Sequence, residues 1–116
     1  MSNISIAVTI GAGGKASYSS ASKQVAPDGT ITIDVGENAS ITFAPASGQS
    51  WTFNNPGISI MSNTPGIQDV SITSQSANAV TIADVNSGSS VASSYTYTLL
   101  TTAGNLDPAI LNKGRH

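Results

Sequence analysis

The chain has 116 residues, enough for one hydrophobic core and one domain. It contains no cysteine, which excludes disulfides, thiolate metal sites, iron–sulfur clusters and cysteine nucleophiles. Charged residues make up 9% of the chain, against about 25% in ordinary domains, and the net charge is −2. Lys15, Lys23, Lys113 and Arg115 are scattered, so no basic patch can neutralise a run of phosphates or hold a membrane surface; nucleic acid is excluded as a partner.

Read from the start, Met1-Ser2-Asn3-Ile4 has neither a basic leader nor a continuous apolar run. No stretch approaches the roughly 20 apolar residues that cross a bilayer. The expectation is a chain without an ordinary signal peptide or transmembrane segment, either cytoplasmic or exported by a route needing no N-terminal signal. Ile4, Ile6, Val8 and Ile10 alternate with Asn3, Ser5, Ala7 and Thr9, the period of a half-buried strand, and Gly11-Ala12-Gly13-Gly14 ends it. Those glycines lack the following helix that a phosphate cradle requires, so they read as a turn. A weaker strand around Lys15–Ser22 offers Tyr18 to the core. Pro27-Asp28-Gly29 is a turn in which proline presets φ and glycine accepts a positive value.

Ile31, Ile33 and Val35 alternate with Thr32 and Asp34 until Gly36-Glu37-Asn38 breaks the run. Ile41 and Phe43 form the next strand, closed by Pro45 and Ser47-Gly48-Gln49. Trp51 and Phe53 share a face ahead of Asn54-Asn55-Pro56-Gly57, and Ile58 and Ile60 form a short strand before Asn63-Thr64-Pro65-Gly66. Val70 and Ile72 pair with Val80 and Ile82 across a Ser74–Asn78 hairpin. After a polar loop over Asn86–Ser94 come Tyr95, Tyr97 and Leu99, and a last strand runs from Leu106 to Leu111. Pro108–Lys113 is the best helical window and is too short to matter. The pattern predicts one all-β domain over residues 1–116, a single antiparallel β-sandwich of about eight strands, each sheet with a wet face. Its last residues, Gly114-Arg115-His116, read as a frayed tail.

Three features resemble immunoglobulin-like sandwiches: the lone Trp51 in an early-middle strand, the Tyr95-x-Tyr97 strand near the C-terminus, and a final strand after Gly104-Asn105. The chain also resembles small uncharacterised bacterial β-sandwich proteins that end in Tyr-x-Tyr-Thr and then Leu-Asp-Pro-x-Ile, carried here by Tyr95, Tyr97, Thr98, Leu106, Asp107, Pro108 and Ile110. The likeness covers the C-terminal third and implies an immunoglobulin-like or cupredoxin-like Greek key rather than an activity. A blue-copper site needs two histidines and a cysteine, and this chain has only His116 and no cysteine.

Candidate chemistry is correspondingly thin. A Ser-His-Asp triad needs a packed histidine, and His116 ends the chain. The acids Asp28, Asp34, Glu37, Asp69, Asp84 and Asp107 show no spacing that forces a catalytic carboxylate pair. Asp84 and Asn86, ahead of Gly88, have the alternating oxygen donors of a calcium loop, but Ser89 to Ser94 supply no further carboxylate. Asn3-Ile4-Ser5 and Asn38-Ala39-Ser40 match the glycosylation acceptor pattern. Trp51, Tyr95 and Tyr97 are candidates for a binding surface if exposed and for the core if not. The expectation is a non-enzymatic binding or structural module without a cofactor. It would engage a protein or glycan and self-associate edge to edge or face to face; the alternative is a lectin-like carbohydrate binder assisted by calcium.

Overall fold

A computed structural model describes residues 2–11, 15–34, 37–63, 70–85, 93–106 and 109–112. Among them the chain is entirely β. In order, the strands are β1 (Ser2–Ile10), β2 (Ala16–Ser19), β3 (Ile31–Ile33), β4 (Asn38–Pro45), β5 (Phe53–Ser62), β6 (Val70–Gln75), β7 (Val80–Val85), β8 (Ser93–Thr101), β9 (Gly104–Leu106) and β10 (Ala109–Asn112). One sheet has the order β2-β1-β4-β7-β6. The other has the order β3-β10-β8-β5, with β9 also paired to β8.

The alternation that defines the strands also defines the interlayer, because successive side chains leave a strand on opposite faces. Ile4, Ile6 and Val8 of β1, Ile41 and Phe43 of β4, and Val80 and Ile82 of β7 meet Ile58 of β5 and Tyr95, Tyr97 and Leu99 of β8 in one buried cluster. The Phe43 and Tyr97 rings, one from each sheet, lie 5.0 Å apart at a tilt of 41°. That contact locks the two layers face to face.

Two pairings depart from the expected antiparallel sandwich. β1 runs parallel to β4, with Ile4 beside Ile41 and Ile6 beside Phe43, and β3 runs parallel to β10, with Ile31 beside Ile110. Alternation of polarity reports which face is wet but carries no information about strand direction; direction follows from where the connections cross between sheets. The strands expected at Trp51–Phe53 and Ile58–Ile60 are a single strand, β5, whose register against β8 shifts between Phe53 and Ile58. Trp51 lies just ahead of it. The hairpin between β6 and β7 is tighter than expected, closing from Ser76 N–H to the Ala79 carbonyl at 2.8 Å.

The flanks are finished differently. Along β2 and β3 the connecting segment folds back on the strands: Tyr18 N–H donates to Pro27 O, and Thr32 N–H to Gln24 O. On the opposite flank, β5 pairs with β8 and β6 with β7, and both stand at the ends of their sheets.

Candidate functional site

The aromatic candidates of the sequence do not form one exposed row. Tyr95 and Tyr97 are fully buried in the core, whereas Trp51, 7% exposed, lines a cleft at one end of the sandwich. Trp51 packs edge-on against Phe53, ring centroids 5.2 Å apart at 88°, at one end of the interlayer. Tyr97 donates its hydroxyl to the Gly29 carbonyl at 2.6 Å and pins the Pro27–Gly29 turn from inside the sandwich. Burial pushes the Tyr97 phenol well above its ordinary value of 10, with smaller contributions from Tyr18 and Asp28.

The acids are dispersed. Asp28 is exposed, and hydrogen bonds from Thr30 hold its carboxyl below its ordinary value. Glu37 accepts from Gln24 Nε2 at 2.6 Å and from Asp34 N–H at 3.0 Å, fastening the segment after β3. Asp84 is fully buried on the same face of β7 as Val80 and Ile82. Its register partners are Ala39 and Val70. Asn86, its proposed calcium partner, lies outside the described residues, as do Asp69, Asp107, Gly114-Arg115-His116 and most of the Gly11–Gly14 turn. Among the described residues, no three histidine, cysteine or carboxylate side chains gather where they could hold a metal ion.

What the tertiary structure does bring together is a set of amides at one end. The register of β1 with β4, of β4 with β7 and of β7 with β6 puts Ile10, Pro45, Val80 and Gln75 at one end of the first sheet, and the bond from Phe53 N–H to Ala77 O brings Phe53 and its β8 partner Thr101 of the second sheet to the same end. There the segment between β4 and β5 turns through Gly48, whose φ of 85° suits a residue without Cβ. The next residue, Gln49, reaches back across the end of the sheet. Its Oε1 accepts two hydrogen bonds, from Ile10 N–H at 2.8 Å and from the Trp51 indole N–H at 2.8 Å. A backbone N–H and an indole N–H can only donate, so the atom they face must be the amide oxygen. The side chain thus continues the β1 ladder where β4 has ended.

Gln75, the last residue of β6, repeats the device. Its Oε1 accepts from Gly57 N–H at 2.8 Å, inside the stretch of β5 that has lost register with β8. Gly57 is buried in that stretch, and the position takes only glycine because a Cβ there would stand 2.9 Å from Phe53 Cβ and 2.9 Å from Val80 Cγ2. Nearby, Asn54 Nδ2 donates to Thr101 O at 3.2 Å, and Phe53 N–H donates to Ala77 O at 2.9 Å.

Each glutamine lines a cleft. The first, about 350 Å³, is bounded by Gln49, Ser50, Trp51 and Thr102. Its two rims are tied by reciprocal bonds between Thr52 and Thr102. The second, about 250 Å³, is bounded by Phe53, Asn54, Asn55, Gln75 and Ser76. Among the described residues, none that lines either cleft is charged. Trp51 lines one cleft and Phe53 the other, and their rings are in contact, so the two clefts are neighbours. A third depression, about 380 Å³, crosses the outer face of the first sheet over Ser5, Ala7, Ser19, Thr42 and Ala44.

The glutamines could not be singled out in the sequence, since amides are common in its turns. The one available signal was density: Gln49, Asn54 and Asn55 flank Trp51 within a few residues. Comparison with known protein families finds no matching family, and comparison with curated proteins finds no match. Among the described residues the site is the amide-bearing end of a two-sheet β domain, with no charged side chain in its lining.

Proposed function

We propose that this chain is a non-enzymatic binding module that engages a neutral, hydrogen-bonding ligand at the amide-lined end of the sandwich. One observation carries the reading: two neighbouring clefts, built from different loops, each set a glutamine amide and hydroxyls beside an aromatic residue, with no charged group among the described residues that line them. Concave sites with a few fixed polar groups are the usual form of small-ligand sites. The immunoglobulin-like Greek key belongs to the same proposal. It is supported by the buried Trp51 at the sandwich end and by the Tyr97 hydroxyl holding a turn carbonyl. The test is a ¹⁵N-resolved titration with neutral saccharides, polyols and short peptide amides. Shifts should concentrate on the Trp51 indole and on the backbone around Gly48–Thr52, Asn54–Gly57 and Gln75–Ala77. Shifts confined to other faces, or turnover of any of these compounds, overturn the reading.

A second reading rests on a different observation. Edge strands β5 and β6 share one flank and contain no charged residue. Ile72 and Met61 on these strands are 41% and 61% exposed. Natural edges are ordinarily blunted by charge, so this flank favours pairing with a second copy of the chain. Light scattering should then detect dimers or larger species that Ile72→Lys dissolves; a strict monomer at high concentration removes this reading.

A further inference from the structure

We infer that Gln49 and Gln75 are the ligand-contacting donors of this end and that their ligand is a neutral oligosaccharide; the inference rests on the binding-module reading above. Each amide oxygen is committed inside the protein, Gln49 to Ile10 N–H and the Trp51 indole, Gln75 to Gly57 N–H. Fixing the oxygen fixes the other end of a planar amide. In both residues the –NH₂ group is turned away from those donors, with two N–H bonds to give. Both side chains line a cleft, and both are positioned before any ligand arrives, so little rotamer freedom is lost when one binds.

The chemistry of the rims narrows the ligand. Fixed N–H donors select a ligand rich in acceptor oxygens. Among the described lining residues no cation offsets the charge of a carboxylate or phosphate, so the donors favour neutral acceptor oxygens over an anion that must give up a larger hydration shell. The Asn55 amide and the Ser50 and Ser76 hydroxyls can both give and accept, which suits hydroxyls that do the same. Sugar hydroxyls fit this description. Because the clefts adjoin across the Trp51–Phe53 contact, a ligand of several linked rings can reach both where a single ring occupies one, so affinity should grow from mono- to oligosaccharide.

Glutamate substitutions separate a ligand contact from a structural tie. In Gln49→Glu and Gln75→Glu an oxygen still accepts the same backbone and indole bonds, while the –NH₂ donors are replaced by an acceptor. Binding is first mapped on a neutral glycan array, run with and without chelator, and then measured by titration with the oligosaccharides that bind. Each variant should keep the parental melting profile and weaken binding by about tenfold or more, the double variant by more than either. Parental affinity in both folded variants overturns the role of the glutamines while leaving the binding module intact. A blank array overturns the saccharide assignment, and the titration with polyols and peptide amides then tests the module independently. Binding abolished by chelator and indifferent to both glutamates also overturns the inference and points to a cation-dependent site elsewhere.

Discussion

At the scale of single residues, the side chains that hold the sandwich together do so through backbone groups that strands cannot satisfy. Tyr97 gives its hydroxyl to a carbonyl 68 positions earlier in the chain. Tyr97→Phe keeps the ring beside Phe43 and leaves the Gly29 carbonyl without this partner in a buried setting. It should cost about 1–3 kcal/mol in urea unfolding. The same residue predicts the alkaline limit of stability. Its folded pKa is raised above 10 by burial, so below pH 10 the phenol is neutral in both states and its contribution is complete. Above pH 10 the unfolded chain ionises this group and the folded one does not, so stability falls as pH rises, by about 1.4 kcal/mol per unit for one proton. Denaturant midpoints measured from pH 8 to 11 should show this slope, and Tyr97→Phe should show less of it. Gly57 marks the opposite constraint, where backbone and side chains meet too closely for a methyl group. Gly57→Ala should destabilise by about 1–3 kcal/mol through overpacking, read as a lower melting temperature.

At the scale of strands, position within the sheet decides what each sequence can do. β4 and β8 are paired along both edges, whereas β6 is paired along one and is exposed from Ser71 to Gln75. Hydrogen exchange should follow that division. Amides of Ile41–Phe43 and Tyr95–Leu99 should exchange only on global unfolding, and those of β6 orders of magnitude faster. Protection of β6 equal to β4 at high dilution would contradict this view of the flank. Ile72 illustrates why alternation alone misleads at an edge. It sits in register with buried Ile82 yet stays 41% exposed. The pattern assigns a side chain to a face, but the depth of cover depends on what the opposite sheet extends over. β5 makes a related point: the amide and proline run Asn54-Asn55-Pro56 reads as a turn, and the chain instead continues as one strand with a shifted register.

At the scale of the whole molecule, one interlayer serves both sheets, so damage at its centre should be felt by both. Phe43 is fully buried against the Tyr97 ring of the opposite sheet. Phe43→Ala should cost about 3–5 kcal/mol. Fluorescence of Trp51 and far-ultraviolet dichroism should still lose structure in one common transition, while separated transitions would mean that the sheets unfold independently.

The all-β class, the single core and most of its members were written into the chain. Ile4, Ile6, Val8, Ile31, Ile33 and Phe43 announce their burial by spacing, because a period of two is a local property of extended backbone, whereas the spacing of Tyr95 and Tyr97 leaves open whether they face a partner or the core. The scarcity of charge and the lack of cysteine likewise followed from composition alone. Strand direction, the parallel pairs β1 with β4 and β3 with β10, and the gathering of Gln49, Asn54 and Gln75 at one end were decided only in three dimensions. These depend on which strands become neighbours after the chain crosses between sheets, and no local pattern records that. A glutamine becomes a fixed donor only when folding brings a distant N–H to its oxygen.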